Sequence, residues 1–273
     1  MNPLQAIVYG IIQGLTEFLP VSSSGHLRVA PALFGWSDPG AAFTAVIQLG
    51  TMAAVVLYFW RELLNVTVAW LRGHVDRSVR SSLEYKMGWY LVIATIPVVV
   101  LGLVFSHQIE TWARNLWLIA GALIAIAVAM LLADRAGQHA RVEENINYRD
   151  AIAIGVAQAM ALVPGVSRSG ATISAGLFRG LTREAAARFS FLLSVPAVVG
   201  SGLFEARKIG AAGAPGMGVT VLATILSFGV GLASIAWLIR YIGRHSMLVF
   251  IIYRVALGAL LLALLSRGAI SAT

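Results

Sequence analysis

No cysteine occurs among the 273 residues, which excludes a disulfide framework, a thiolate nucleophile and a Cys-ligated metal. Charge is also scarce. Asp, Glu, Lys and Arg together make up 12% of the chain, about half of the roughly 25% found in ordinary soluble domains. Hydrophobic residues reach 59% and the mean hydropathy is +0.83. A chain so poor in polar surface has the bilayer as its solvent. A cytosolic enzyme, a disordered regulator and a secreted disulfide scaffold are thereby excluded. The net charge of +8 does not point to nucleic acid, because apolar runs separate the basic residues; it fits Arg-rich cytoplasmic loops. The N-terminus lacks a basic n-region, and Glu17 and Pro20 interrupt its apolar run, so it does not read as a cleavable signal.

Six stretches approach the roughly 20 residues a helix needs to cross hydrocarbon: 40–60, 87–105, 115–133, 187–204, 217–239 and 247–265. Two shorter apolar stretches, 4–19 and 151–163, each run into proline and then a Ser/Gly cluster, Pro20-Val21-Ser22-Ser23-Ser24-Gly25 and Pro164-Gly165-Val166-Ser167-Arg168-Ser169-Gly170. Proline ends a helix, and Ser and Gly favour turns and caps. A short arm, a broken tip and a second arm describe a re-entrant hairpin, tolerated at membrane depth only inside protein or beside a water-filled cavity. The expected fold is therefore an all-α integral membrane protein, six transmembrane helices plus two re-entrant helical hairpins, in a single domain spanning 1–273. With the first hairpin entering from outside, thirteen Lys and Arg fall on the inner side and five (Arg28, Arg114, Arg207, Lys208 and Arg267) on the outer. This asymmetry places both termini outside.

Sliding the chain against itself by 145 residues aligns Gly10 with Gly155, Gln13 with Gln158, Ser22 with Ser167, Ser24 with Ser169 and Gly25 with Gly170. The halves are about 1–135 and 150–267. Three crossings between the hairpins invert the second copy, an inverted-topology repeat whose broken segments meet near the midplane.

The copies differ where chemistry needs them to: Glu17 stands opposite Leu162, Ser23 opposite Arg168 and His26 opposite Ala171. An acidic residue deep in an apolar segment costs about 2.5–3.5 kcal/mol on insertion scales and reads as functional. The competing reading of Glu17 and Arg168 is a pair that merely holds the halves together. Gln13 and Glu17 share a helical face, and two oxygen donors with phosphate oxygens suit Mg²⁺ or Ca²⁺. Arg168, amid Gly165, Ser167, Ser169 and Gly170, offers a guanidinium fork and open backbone N–H groups to a phosphate; the alternative is a small-residue turn packed closely on a neighbour. His26 follows Ser23 by three residues, within reach as a base if a helix restarts near Ser22. His74, His107, His139 and His245 fall in or beside loops. Trp60, Trp89, Trp112 and Trp117 read as interface anchors, and the charge run 141–150 as a solvated loop. Arg254, inside the last stretch, either snorkels or faces the cavity.

Residues 13–26, Gln-Gly-Leu-Thr-Glu-Phe-Leu-Pro-Val-Ser-Ser-Ser-Gly-His, and 164–172, Pro-Gly-Val-Ser-Arg-Ser-Gly-Ala-Thr, resemble the two signature motifs of bacterial undecaprenyl pyrophosphate phosphatases, the bacitracin-resistance family. The likeness covers essentially the whole chain, including Val46-Ile47-Gln48-Leu49-Gly50. The family's first motif is (E/Q)-x-x-x-E; here Gln13 leaves Glu17 as its sole carboxylate. The resemblance implies hydrolysis of undecaprenyl pyrophosphate to the monophosphate on the outer face of the bacterial plasma (inner) membrane, recycling the lipid carrier for wall polymers and removing the bacitracin target. It also implies a divalent metal. The expected partners are the polyprenyl diphosphate and membrane lipids, without nucleic acid; a homo-oligomer is compatible with the sequence.

On this reading Glu17 and Gln13 hold Mg²⁺ or Ca²⁺, Arg168 stabilises the transferred phosphoryl group, and Ser23 is the nucleophile with His26 as base. Attack by a metal-oriented water is the other route. Ser22, Ser24, Gly165, Ser167, Ser169 and Thr172 form the expected phosphate-binding set. The runner-up function is a transporter or flippase for an anionic lipid or solute, because broken helices in inverted repeats are also a transporter signature.

Overall fold

The computed structural model describes residues 1–105, 115–205 and 216–272; His107, Trp112, Arg114, Arg207 and Lys208 lie outside them. Among the described residues eleven α-helices follow one another: α1 Pro3–Phe18, α2 Ser23–Phe34, α3 Gly40–Tyr58, α4 Trp60–Gly73, α5 Leu83–Val104, α6 Leu116–Ala136, α7 Tyr148–Met160, α8 Arg168–Phe178, α9 Arg183–Glu205, α10 Met217–Ile242 and α11 Leu248–Ser266. No strand is present among the described residues. Four of these helices (α5, α6, α10 and α11) are long and apolar enough to cross a membrane, and a fifth span arises if α3 and α4 count together. The expected stretch 187–204 lies inside α9.

Both short arms begin and end alike. Asn2 caps α1 in a capping box with Gln5, and Asn147 caps α7 in one with Asp150. Each arm stops before a proline-containing break, after which Ser22 and Ser167 cap α2 and α8. Packing follows the same exchange of halves: α1 lies on α10 and α7 lies on α5, while α10 also meets α3 and α5 meets α9. Lipid gives helices no hydrophobic reason to associate, so close approach through small residues takes over. A Cβ on Gly10 would sit 2.6 Å from the Ala223 carbonyl oxygen, and one on Gly155 2.7 Å from that of Ala94. The aligned glycines thus mark the same crossing in each half.

One helix lies where no element was expected, and one loop expectation is corrected in part. The residues after Tyr58 continue as helix α4 beyond a 78° bend. Its exposed Trp60, Leu64, Val68 and Leu71 form an apolar stripe, while Val66 is buried against the protein. The run 141–150 is solvated only in part: Val142, Glu144, Asn145, Tyr148 and Arg149 are exposed, but Asp150 is fully buried. Arg141 reaches both its oxygens, at 3.0 and 2.5 Å, and Arg179 donates at 2.8 Å. Two cations and an N-cap outweigh the cost of hiding one carboxylate.

Candidate active site

The two breaks bring their serines into one unusual backbone shape. Ser22 has φ 80° and ψ 98°, and Ser167 has φ 71° and ψ 115°, a region that costs a non-glycine residue about 1–3 kcal/mol. The caps offset part of this: Ser22 Oγ accepts from the Gly25 N–H at 3.3 Å and Ser167 Oγ from the Gly170 N–H at 3.1 Å. α2 and α8 therefore start at Ser23 and Arg168 with their positive ends at the breaks.

Glu17, in the last turn of α1, is the meeting point. Ser23 Oγ donates to its Oε2 at 2.8 Å and Arg168 Nη2 to its Oε1 at 2.9 Å. Gln13 Nε2 adds a bond to Oε2 at 3.1 Å and is held by Thr51 Oγ1 at 3.3 Å. The Glu17 and Arg168 side chains are only 7% and 13% exposed. Removing either partner of such a pair strands a charge, at about 3–5 kcal/mol. The guanidinium has five N–H donors, and its remaining protein bond runs to the Ser190 carbonyl at 3.3 Å. A cavity of about 230 Å³ opens beside the pair, walled by Gln13, Glu17, Ser22, Ser23, Ser24, Gln48, Gln158, Ser167 and Arg168 among others. The predicted convergence of acid, hydroxyls and guanidinium is present.

Three residues of the expected phosphate set do not reach this cavity. Gly165 packs against Ile119. Ser169 is fully buried and spends its hydroxyl on the Leu19 carbonyl and on Ser167. Thr172, also buried, bonds the Arg168 carbonyl at 2.7 Å and Ser190 Oγ at 2.6 Å. They build the tip from beneath. His26 departs further from expectation. It lies outside the cavity wall and makes no bond to Ser23. Its Nδ1 meets the Ser22 carbonyl at 2.7 Å, which can only accept, so Nδ1 carries the proton. The bare Nε2 then accepts from Tyr253 Oη at 2.6 Å, with the two rings stacked. The spacing put Ser23 and His26 on one turn, but each side chain found a partner on another element. The neighbour able to take the Ser23 proton is Glu17.

Arg254 neither snorkels nor faces the cavity. It is fully buried and donates to the carbonyls of Pro20 at 3.2 Å, Gly165 at 2.8 Å and Val166 at 3.2 Å, as well as to Leu123 and Ala122. Carbonyls freed where helices break thus find their donor in one guanidinium. A charge in the middle of an apolar stretch was the available signal. Tyr253, Thr51 and Ser190 had none, since only the fold brings them near.

For a divalent cation, the donor set decides the fit. Mg²⁺ is ordinarily held by one or two carboxylates with waters and substrate phosphates. Among the described residues Glu17 is the sole carboxylate in the wall, beside Gln13, Gln48 and serine hydroxyls. Among the described residues no three His, Asp or Glu side chains form a cluster able to hold a metal. The set fits a cation shared with a phosphate ligand, not one caged by protein alone.

The chain matches the model of the family described as bacitracin resistance protein BacA over residues 6–260. It is 50% identical over 270 residues to an undecaprenyl-diphosphatase of Nocardioides sp. (strain ATCC BAA-499 / JS614), covering 98% of each chain. Undecaprenyl-diphosphatases of Chloroherpeton thalassium and Mycolicibacterium gilvum are likewise each 50% identical, with 100% of both chains covered.

Proposed function

The chain belongs to the bacitracin resistance protein BacA family, and on that footing we propose that it hydrolyses undecaprenyl diphosphate to undecaprenyl phosphate and inorganic phosphate. The observation that carries the reading is one carboxylate, Glu17, hydrogen-bonded at once to a hydroxyl and a guanidinium in the wall of a single cavity. The lipid tail stays in hydrocarbon while the diphosphate enters the cavity. Its terminal phosphoryl group draws Arg168 into bidentate contact, with Ser22, Ser24 and Ser167 as further donors. Glu17 Oε2 keeps the Ser23 hydroxyl, and the Oε1 that Arg168 vacates would be the oxygen open to a metal.

In the first half-reaction Ser23 Oγ bonds to the terminal phosphorus and its proton passes to Glu17. The bridging P–O bond breaks, and the departing lipid phosphate takes that proton. In the second, water bonds to phosphorus and gives a proton to Glu17, and Ser23 Oγ leaves with it. Arg168 stabilises charge on the phosphoryl oxygens in both. Glu17 and Gln13, together with the diphosphate, would hold a divalent cation such as Mg²⁺ or Ca²⁺, which would supply charge neutralisation. His26, tied to the Ser22 carbonyl, braces the break that aims Ser23. In the membrane, six crossings and two re-entrant hairpins form an inverted repeat within the bacterial plasma membrane. The excess of inner-side arginines supports a cavity opening outwards.

The test is metal-dependent phosphate release from a prenyl diphosphate by the purified protein in detergent, wild type beside Glu17→Ala. Release by wild type alone supports the reading; absence of release from both rejects it. The transporter alternative gives the Ser23–Glu17 bond no task, and detergent offers it no second compartment.

A further inference from the structure

One polar side chain of the cavity wall has no part in the chemistry above. Gln48, on α3, is the polar member of Val46-Ile47-Gln48-Leu49-Gly50. It is half-buried, and among the described residues its amide has no hydrogen-bond partner. Only its backbone carbonyl is engaged, accepting from Thr51 Oγ1 at 2.8 Å. Thr44, Gln48 and Thr51 follow at i, i+4 and i+7, one stripe of a helix. Thr44 and Gln48 line the cavity, and Thr51 meets Gln13 of its wall at 3.3 Å.

The contacts of α3 set the depth of Gln48. Tyr9 of α1 packs on Phe43, ring centroids 5.7 Å apart, and Gln13 reaches Thr51, so the two helices run the same way. Gln48 therefore stands nearer the helix starts than Glu17, by roughly 10 Å of helix rise. The Glu17 carboxylate leans back to the Gln13 amide, 3.1 Å away, and shortens that gap. Past Glu17 the way is closed, because Phe18 is buried edge-on against Phe191. A diphosphate held at its terminal phosphoryl group by Ser23 and Arg168 must then extend towards Gln48. Thr44 spends its proton on the Gly40 carbonyl at 3.1 Å, and Leu27, in one cluster with Tyr9 and Phe43, is apolar. The Gln48 amide is the donor at this level.

Phosphate oxygens accept, and an amide N–H donates without adding charge. We infer that Gln48 Nε2 binds the lipid-linked phosphate, the group that departs with the tail. This rests on the hydrolase reading above. A guanidinium grips the phosphoryl group being transferred, while a neutral donor holds the one that has to leave. A lipid monophosphate cannot fill both places, which favours the diphosphate as substrate.

The experiment follows phosphate release from a prenyl diphosphate by the purified protein in detergent, with prenyl monophosphate and orthovanadate as inhibitors. Orthovanadate mimics the transferred group alone. Gln48→Met removes the amide at similar volume. KM is expected to rise and inhibition by prenyl monophosphate to weaken, each about tenfold, the low end for a hydrogen bond to a charged group. Inhibition by orthovanadate should stay as in wild type. Gln48→Arg should reverse the sign, because a cation grips the departing phosphate: prenyl monophosphate inhibits severalfold more tightly and kcat falls. General damage to the site cannot produce that reversal. Equal weakening of both inhibitors in Gln48→Met overturns the inference, as does product inhibition that neither variant changes. Wild type that releases no phosphate defeats the underlying reading, whereas active wild type with indifferent Gln48 variants defeats this inference alone.

Discussion

Ser23 and Arg168 occupy equivalent positions 145 residues apart and bind opposite oxygens of the same carboxylate, Ser23 on Oε2 and Arg168 on Oε1 of Glu17. Each is the first residue of the helix after its break. Equivalent positions of the sequence thus carry a hydroxyl and a cation, with one acid between them.

Glu17→Gln retains the shape and the hydrogen-bonding reach but removes the base. Phosphate release should drop at least ~10²-fold, as should that of Ser23→Ala, the usual scale for losing acid–base participation. A Ser23→Ala protein with near-normal turnover would assign the attack to water directly.

For Arg168, charge and fork separate. Arg168→Lys keeps a cation without bidentate geometry, so activity should lie between wild type and Arg168→Ala, with the alanine variant down at least ~10²-fold. Equal losses would mean that only the fork matters.

Arg254→Met leaves the carbonyls of Pro20, Gly165 and Val166 without their shared donor. A loss of about 3 kcal/mol is expected from breaking such a buried set. It is readable as a lowered melting temperature in detergent, together with trypsin cleavage at Arg168.

At Asp150, burial opposes ionisation, yet hydrogen bonds from Arg141, Arg179 and the Asn147 N–H hold the carboxyl below the usual carboxylate range. A depressed folded-state value means the stabilisation is present above about pH 4, the ordinary aspartate range, and lost as pH falls through the folded value. Asp150→Asn should unfold at lower temperature at pH 7, and the gap to wild type should close on acidification.

Gln13→Glu restores the second carboxylate of the family pattern. Tighter Mn²⁺ binding, followed by electron paramagnetic resonance with a diphosphate present, is the expected result. Unchanged affinity would remove position 13 from the metal site.

The breaks and the pairing of Glu17 with Arg168 were legible because their signals are local: proline, a Ser-x-Ser-Gly turn, and two charges where lipid penalises them. The destination of Arg254 was not, since one charge in an apolar run says nothing about which carbonyls lack donors. His26 was placed against Ser23 by spacing alone, and Tyr253, more than two hundred residues on, claimed its nitrogen. Asp150 looked solvated because its arginine partners come from a loop and a helix end that only the fold assembles. α4 carries exposed apolar and protein-facing stripes side by side, a pattern too short to pass for a span.

The glycine crossings fix more than shape. With α1 seated on α10 at Gly10 and Gly14, and α7 on α5 at Gly155, each arm's backbone lies against its neighbour with no room for a side chain between them. If arms packed so closely hold the acid and its amide neighbours in place, the long-chain carrier is what travels. Turnover in liposomes should then track the viscosity of the surrounding lipid and the two-dimensional arrival of substrate.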